Sequence, residues 1–440
     1  MKNRALTIIA ILLGAFIVGA VIYLVTQRTA QEQIGSYQTG VAYPTGPISL
    51  SLWLPIDEKD NLEPIIAEYN KIHPNVSIVV EYSDNTQYQT KLLNAISTNT
   101  APDMFVYRGN GLPLYKKAIS PAPDSVMGVK DFGNTFAEFS TKQLISNNSV
   151  YGIPLGIATL AQIYNTQRFS DANISQASKD WNEFVSNNTK IRKLDGTNLV
   201  NSGVALGTPA IRNYPDIISI LMIQNGATMT NQPPTQATFD QPISGGYYPA
   251  AKSLAFYTSF AQPNKQNYSW NDSLGDSTNA LATNKTALII DYPMAIKQIR
   301  KTSPSLGIAA ASLPQTNPDV PINYGVTLAG SVSTNSKLSE IAWDFWGFAT
   351  TKPAQTIYSQ NSMWPASRKD LIEDQKNDKD LSVFAKQIST ATDWYKGYNY
   401  QTNAELTAML GYYLSGLDPQ ITVKNAATNI TKSIQLSNQQ

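Results

Sequence analysis

The chain has 440 residues, more than one hydrophobic core ordinarily fills, so at least two lobes of roughly 100 to 200 residues each are expected. Charged residues make up only 15% and the formal net charge is +1, so the basic face that grips a phosphate backbone is missing and no nucleic-acid partner is expected. With no cysteine and a single histidine, His73, the sequence gives no basis for thiol chemistry, disulfides, Cys/His zinc sites or a Ser-His-Asp triad, and no cofactor or metal is called for.

In chain order, Lys2 and Arg4 precede an apolar run from Ala5 to Val25, about the length that crosses a hydrocarbon core of about 30 Å. It reads as a single-pass anchor (residues 1–27) with the rest of the chain outside, by the positive-inside rule. The alternative is a cleaved signal peptide, whose apolar region is normally shorter. A lipid anchor would need a cysteine. Residues 28–47, with Gly35, Gly40, Pro44, Gly46 and Pro47, read as a flexible tether.

From Ile48 the pattern is that of a folded body. Ile48, Leu50, Leu52 and Leu54 alternate on one face and predict a strand. Leu62, Ile65, Ile66, Tyr69 and Ile72 recur at helical spacing, with Asp60 and Asn61 as caps and His73-Pro74-Asn75 as the stop. Asn75–Tyr82 is β-branched and predicts the second strand. Tyr88, Leu92 and Ile96 then share a stripe of a second helix that ends near Thr100. Met104–Tyr107 reads as a third, buried strand that leaves through the loop Arg108–Gly111. The order β, α, β, α, β predicts a parallel, doubly wound sheet, in which Tyr107, Arg108 and Asn110 lie at the carboxyl edge where such sheets bind ligands. Farther on, Ile217–Ile223, Ile341–Ala349, Ala404–Leu414 and Val423–Ile434 read as helices, and no internal repeat is evident.

Several short motifs, in order, carry a resemblance. Leu52-Trp53, the helix end Glu68-Tyr69-Asn70-Lys71-Ile72-His73-Pro74-Asn75-Val76, Pro102-Asp103, Tyr151-Gly152-Ile153-Pro154 and Tyr164-Asn165 open the series. Trp181-Asn182-Glu183-Phe184, Asn225-Gly226-Ala227, Asn284-Lys285-Thr286-Ala287-Leu288, Leu313-Pro314, Ala342-Trp343-Asp344-Phe345 and Trp364-Pro365-Ala366 continue it. The stretch from Ile48 to about Leu371 resembles the family 1 extracellular solute-binding proteins, the maltose-binding-protein-like receptors of ABC importers. The resemblance implies a type II periplasmic-binding-protein-like α/β fold, with two lobes that each hold a mainly parallel sheet flanked by helices. Its crossings fall near Gly156–Thr159, Pro321–Gly325 and Ser359–Pro365. Lobe 1 would comprise 48–157 plus 324–360, and lobe 2 would comprise 158–323 plus 361–436.

Sugars present C–H faces that aromatic rings cover and hydroxyls that amides, carboxylates and guanidinium groups bind, so a sugar site mixes the two. Trp53, Tyr107, Arg108 and Asn110 qualify by position at the first sheet's edge, each against an ordinary packing or turn role. The resemblance adds Asp57, in a loop that is otherwise simply solvated, and the loop holding Asp291 and Tyr292. In relatives that loop brings a Trp into the cleft, where this chain has Tyr292 or Met294. Tyr324 and Gly325 lie at a crossing, where glycine admits a ligand close to the backbone. Trp270, Trp364 and Trp394, with Tyr395, are the second-lobe aromatic candidates.

The resemblance implies a monomeric, non-enzymatic receptor that closes on a carbohydrate by hinge bending and delivers it to ABC permease subunits. A surface sugar sensor shares the same capture chemistry. A surface glycoside hydrolase would need two carboxyl groups about 5 to 10 Å apart, and Asp57, Asp291 and Asp393 are nominees that nothing in the sequence pairs. Asp374, Asp378 and Asp380 lack the glycine and terminal Glu of a calcium loop and read as a solvated acidic face.

Overall fold

The computed structural model describes Tyr37 and residues 40–439. The anchor expected over Ala5–Val25 lies outside the described residues, and no described helix is long and apolar enough to cross a membrane.

The first strand, β1 (Ile48–Pro55), alternates as its sequence predicts, with Ile48, Leu50, Leu52 and Leu54 buried. It runs parallel to β2 (Val76–Ser83) and to β3 (Met104–Arg108). Helices α1 (Lys59–Ile72) and α2 (Asn85–Ser97) make the crossovers. The caps differ from the expectation: α1 has no side-chain cap, and Asn61 lies inside it, buried, donating from Nδ2 to Glu58 Oε2 at 3.1 Å. Asp84 caps α2 by accepting from the Thr86 N–H at 2.9 Å.

After α3 (Glu138–Leu144) comes β4 (Ile153–Thr159), which pairs antiparallel with a later strand of the same sheet. The chain then crosses at Leu160 into a second sheet. That sheet holds, in spatial order, β9, β5, β8, β7 and β6: β5 is Ala161–Asn165, β6 is Lys193–Asp195, β7 is Asn198–Val204, β8 is Thr286–Asp291 and β9 is Ile308–Ser312. Its helices include α4 (Trp181–Ile191), α5 (Tyr214–Gln224), α6 (Pro249–Ser259) and α7 (Met294–Thr302). Apolar residues on almost every face of α5 bury it.

The return is β10 (Asn323–Val332), buried along its whole length and antiparallel to both β3 and β4. Helices α8 (Ser339–Ala349) and α9 (Lys352–Ser362) follow on the first sheet. Each sheet with its helices is called a lobe below.

The final crossing differs from the expectation. Residues 364–392 stay with the first lobe: the Ile157 N–H donates to Pro365 O at 2.9 Å, and β11 (Ala391–Thr392) pairs with Asn323 and Tyr324. Ile372, Ala385 and Ile388 form a small core there with Ala137, Phe139 and Ile157, apolar burial that a Trp-Pro-Ala motif alone does not announce. Only after Thr392 does the chain reach α11 (Asn399–Leu414) and α12 (Pro419–Gln439), which pack on α6 of the second lobe. Helix α10 (Ser382–Gln387) packs in the first lobe's small core, and its last residue reaches the crossing and the second lobe. Gln387 donates to Thr159 Oγ1 and Leu160 O at 3.1 and 3.0 Å and accepts from the Leu313 N–H at 2.9 Å. Asp380, expected to be merely solvated, takes a two-pronged grip from Arg300 of α7, both contacts at 2.6 Å.

The segment before β1 also departs from its reading as a free tether. Asn75 Nδ2 donates to Pro44 O at 3.0 Å, and the Tyr43 ring stacks on His73 with centroids 4.4 Å apart.

Candidate ligand-binding site

Because helices cover both faces of the first sheet, Met104 to Tyr107 of β3 are all buried, and Arg108 is the first residue to emerge at its carboxyl edge. Opposite stands the start of α5. Asn213 takes the left-handed conformation that asparagine tolerates (φ +57°), and its carbonyl accepts from the Asp216 and Ile217 N–H groups. This turn sets Asp216 in the helix's first turn, where the positive end of the helix dipole suits a carboxylate.

Asp216 is buried and gathers groups from three parts of the chain. Lys396 Nζ donates to Oδ1 at 2.6 Å, Tyr292 OH donates to Oδ2 at 2.8 Å, and Arg108 Nη1 reaches to 3.6 Å across the seam between the lobes. Burial alone would raise the Asp216 carboxyl, but Lys396 and Arg108 hold it below the usual carboxylate range. The Arg108 side chain is 47% exposed against 5% for Asp216, so it covers the carboxylate from the cleft side. Lys396 Nζ also lies 5.6 Å from the ring centroids of both Tyr324 and Trp394.

Two cavities flank this cluster. One, of about 470 Å³, has Asn110 and Gln143 on the first-lobe side, Thr228 and Gln232 on the second, and Asp393 and Trp394 on the strand-like crossing between them. Asn110 Nδ2 donates to Trp394 O at 2.9 Å, and Gln143 Nε2 donates to Asp393 Oδ2 at 2.6 Å. Burial pushes the Asp393 carboxyl up to about 7, against the pull of Gln143 and Lys396. The other cavity, of about 370 Å³, runs from Arg108 to Arg212, Asn213 and Asn403. A larger groove of about 790 Å³, between Gln262 and Leu417, has walls only from the second lobe, so movement of the lobes would not reshape it.

Of the residues expected at a site, Arg108, Asn110, Tyr292, Tyr324 and Trp394 meet at or beside this seam. Trp394 lines the 470 Å³ cavity but is nearly buried, its Nε1 donating to Ser219 Oγ at 3.0 Å. Between Tyr292 and Met294, it is Tyr292 that reaches the cluster, while Met294 begins α7 half-buried.

The others lie elsewhere. Tyr107 packs against Phe105 and Tyr115 within the first lobe and donates to Tyr151 O at 3.3 Å. Trp270 is wholly buried in the second. Trp53 is half-buried beneath Lys91, whose Nζ sits 4.5 Å over the ring, and Asp57 is exposed and bonded by Asn85. A Cβ at Gly325 would stand 2.8 Å from Ala391 Cβ, so protein rather than ligand fills the space beside it. Trp364 is half-buried in the turn after α9, its N–H donating to Ser362 Oγ. Asp291 is buried beneath Asn213 and Thr278, which donate to it at 2.6 and 2.8 Å, and burial raises it to about 6.

Of Asp57, Asp291 and Asp393, Asp393 alone lines either of the two cavities beside the seam. Among the described residues no cluster of His, Cys, Asp or Glu could hold a metal. Asp216 and Lys396 were not singled out from sequence. The signal was there: an acid opening the otherwise apolar Tyr214–Gln224, and a lysine among the aromatics of Trp394-Tyr395-Lys396.

The family model for bacterial extracellular solute-binding proteins matches residues 56–356, well over half of the chain. The chain belongs to that family. This solute-binding protein is 25% identical over 350 residues to a curated binding protein of Brucella abortus (strain 2308), covering 77% of this chain and 80% of that one. Among solved structures it superimposes on an ABC-transporter solute-binding protein of Thermotoga lettingae bound to α-D-tagatose, with a TM-score of 0.73 and 20% identity over 88% of this chain and all of that one. A sugar-binding protein of Xanthomonas citri gives 0.70 and 16% over 88% and 97%. A cyclo/maltodextrin-binding protein complexed with maltotetraose gives 0.68 and 18% over 90% and 99%. These likenesses establish a periplasmic-binding-protein-like α/β fold for the solute-binding protein.

Proposed function

We propose that this chain is the receptor of a carbohydrate importer. It holds a mono- or oligosaccharide between its two lobes, does no chemistry on it, and presents the closed form to the permease subunits of an ABC transporter. The observation that carries this reading is the seam itself. Arg108 from one lobe and Asp216 from the other face each other in a cavity of about 370 Å³, beside a second of about 470 Å³ lined by amide, hydroxyl, aromatic and apolar side chains of both lobes. A ligand that touches both walls is bound only when they are together, and by that difference it shifts the equilibrium toward closure. The sugars named for the solved relatives support the ligand class. The apolar run Ala5–Val25 would anchor the receptor to the membrane, with the binding lobes outside.

The test is a thermal-shift panel that includes D-tagatose, maltotetraose and mannobiose. A sugar held at 100 times its Kd adds about 2.7 kcal/mol and raises the midpoint. X-ray scattering with the same sugar should show a smaller radius of gyration. A flat response to a broad panel of neutral and substituted sugars would count against carbohydrate as the ligand.

A further inference from the structure

The residues before β1 meet the first lobe at a prepared place. Tyr37 OH donates to the Asp344 carbonyl at 2.9 Å, and its ring lies edge-on to Phe348, with centroids 5.4 Å apart at 76°. Tyr43 stacks on His73, nearly parallel at 14°, and its hydroxyl meets both Tyr69 OH, at 2.8 Å, and the Asp344 carboxylate. Tyr69 OH donates to the same carboxylate at 2.9 Å, so Asp344 of α8, Tyr69 of α1 and His73 just past the end of α1 together form a polar socket for Tyr43. Asn75 then holds the Pro44 and Gly46 carbonyls.

The second half of the socket is a missing side chain. Gly347 sits inside α8, where glycine weakens a helix. A Cβ there would come within 2.5 Å of Tyr37 Oη and 2.8 Å of Val126 Cγ1, so the bare backbone is what makes room for the tyrosine. Helix α8 is buried from Ile341 to Ala349, the pattern of a helix covered on all sides, and Tyr37 supplies part of that cover. Every partner named here belongs to the first lobe. The second lobe's α11 and α12 instead meet the first lobe at α2 and the turn Leu112–Tyr115.

We propose that Tyr37 and residues 40–47 form a strap that seats in a groove of the first lobe formed by α1 and α8. Whatever precedes residue 37 is thereby carried by the first lobe, and the second lobe is the one that swings. If that preceding segment is the membrane anchor, the first lobe is held in a set pose at the surface while the second opens and closes.

The absence of native cysteine makes the test direct. Ala42→Cys on the strap and Lys71→Cys on α1, both exposed, take paired nitroxide labels for dipolar distance measurement in the full chain. One narrow distance is expected, and a distribution at least threefold wider after Tyr37→Ala with Tyr43→Ala. Gly347→Ala keeps both tyrosines but should also widen the distribution by unseating Tyr37. Tyr43→Phe, which leaves the stacked ring in place, should keep the fold and widen it less. A second pair, Ala42→Cys with Lys193→Cys on β6, should give a broader distribution than the first. A broad 42–71 distribution in the protein with its tyrosines intact, unchanged by their removal, would overturn the strap. A 42–193 distance narrower than the 42–71 distance would overturn the assignment of the fixed lobe.

Discussion

Arg108 and Asp216, separated by more than a hundred residues in sequence, lie 3.6 Å apart across the seam between the two sheets, and Lys396 holds the carboxylate's other oxygen at 2.6 Å. The Asp216–Lys396 pair is the stability-bearing part, since each side chain is at most 5% exposed. Asp216→Ala strands a buried ammonium, and breaking a buried pair from one side typically costs about 3 to 5 kcal/mol. Urea unfolding should show a loss of that size. A loss below about 1 kcal/mol would mean that Lys396 finds water or another partner.

Arg108 should behave differently, because its guanidinium is half-exposed and its ion pair is long. Exposed pairs contribute about 0 to 1 kcal/mol, so Arg108→Gln should barely move the melting temperature. If a bound sugar accepts from this guanidinium, that hydrogen bond is worth about 1.5 to 3 kcal/mol, or roughly 10- to 150-fold in Kd by calorimetry. A Kd within twofold of the parent would place the ligand away from this edge.

Asp393 supplies a pH signature. Its folded-state carboxyl is raised to about 7 by burial, so at pH 6 it keeps a proton that the unfolded chain has lost. The stabilisation from that proton is present on the acid side and is lost as pH rises through about 7. Asp393→Asn should flatten this part of the stability-pH curve. Because Asp393 also lines the 470 Å³ cavity, sugar affinity in the parent should change between pH 6 and 8, and in the variant it should not. Titration calorimetry at the two pH values decides it.

Glu58 is the same case inside the first lobe. Burial lifts it to about 7 from 4.5, while Asn61 Nδ2 and Tyr358 OH donate to its Oε2 at 3.1 and 3.0 Å. Glutamine can accept both bonds without carrying charge. Glu58→Gln should therefore gain stability at pH 8, by an amount approaching about 3 kcal/mol, and gain nothing near pH 4.5. Equal effects at both pH values would show that the residue is not titrating.

Local patterns carried the first lobe. The alternation of Ile48, Leu50, Leu52 and Leu54 and the parallel course of β1, β2 and β3 follow from periodicity and crossover order, and they put Arg108 and Asn110 at the sheet's edge. What periodicity does not carry is the direction of an aromatic near a strand end. Tyr107 and Trp270 look alike to Trp394 in composition, yet helices on both faces of the sheet seal the first, the second lobe's core takes the second, and only Trp394 reaches the seam. The late crossing after Thr392 was hidden for a related reason. The small core of Phe139, Ile372 and Ile388 joins residues more than two hundred positions apart, and no local window contains it. The Tyr37 and Tyr43 contacts were equally illegible, since glycine and proline in a short stretch speak for looseness until the partner groove is known.

The antiparallel pairing of β4 with β10 runs from Ile153 opposite Gly330 to Thr159 opposite Gly325, and the Leu160 N–H still donates to Tyr324 O at 3.0 Å before Ala161 enters the other sheet. The two bridging chains are thus knitted together almost to the point of departure, and a hinge between the lobes would have to bend these two beside Tyr324 and the third in the stretch after Thr392. Atoms close to that pivot travel little while the outer rims sweep through the widest arc. If the lobes close on a sugar as proposed, its inner end would meet near-stationary walls and its outer end moving ones, and cargo length, rather than the identity of the innermost unit, would be the property most exposed to the swing.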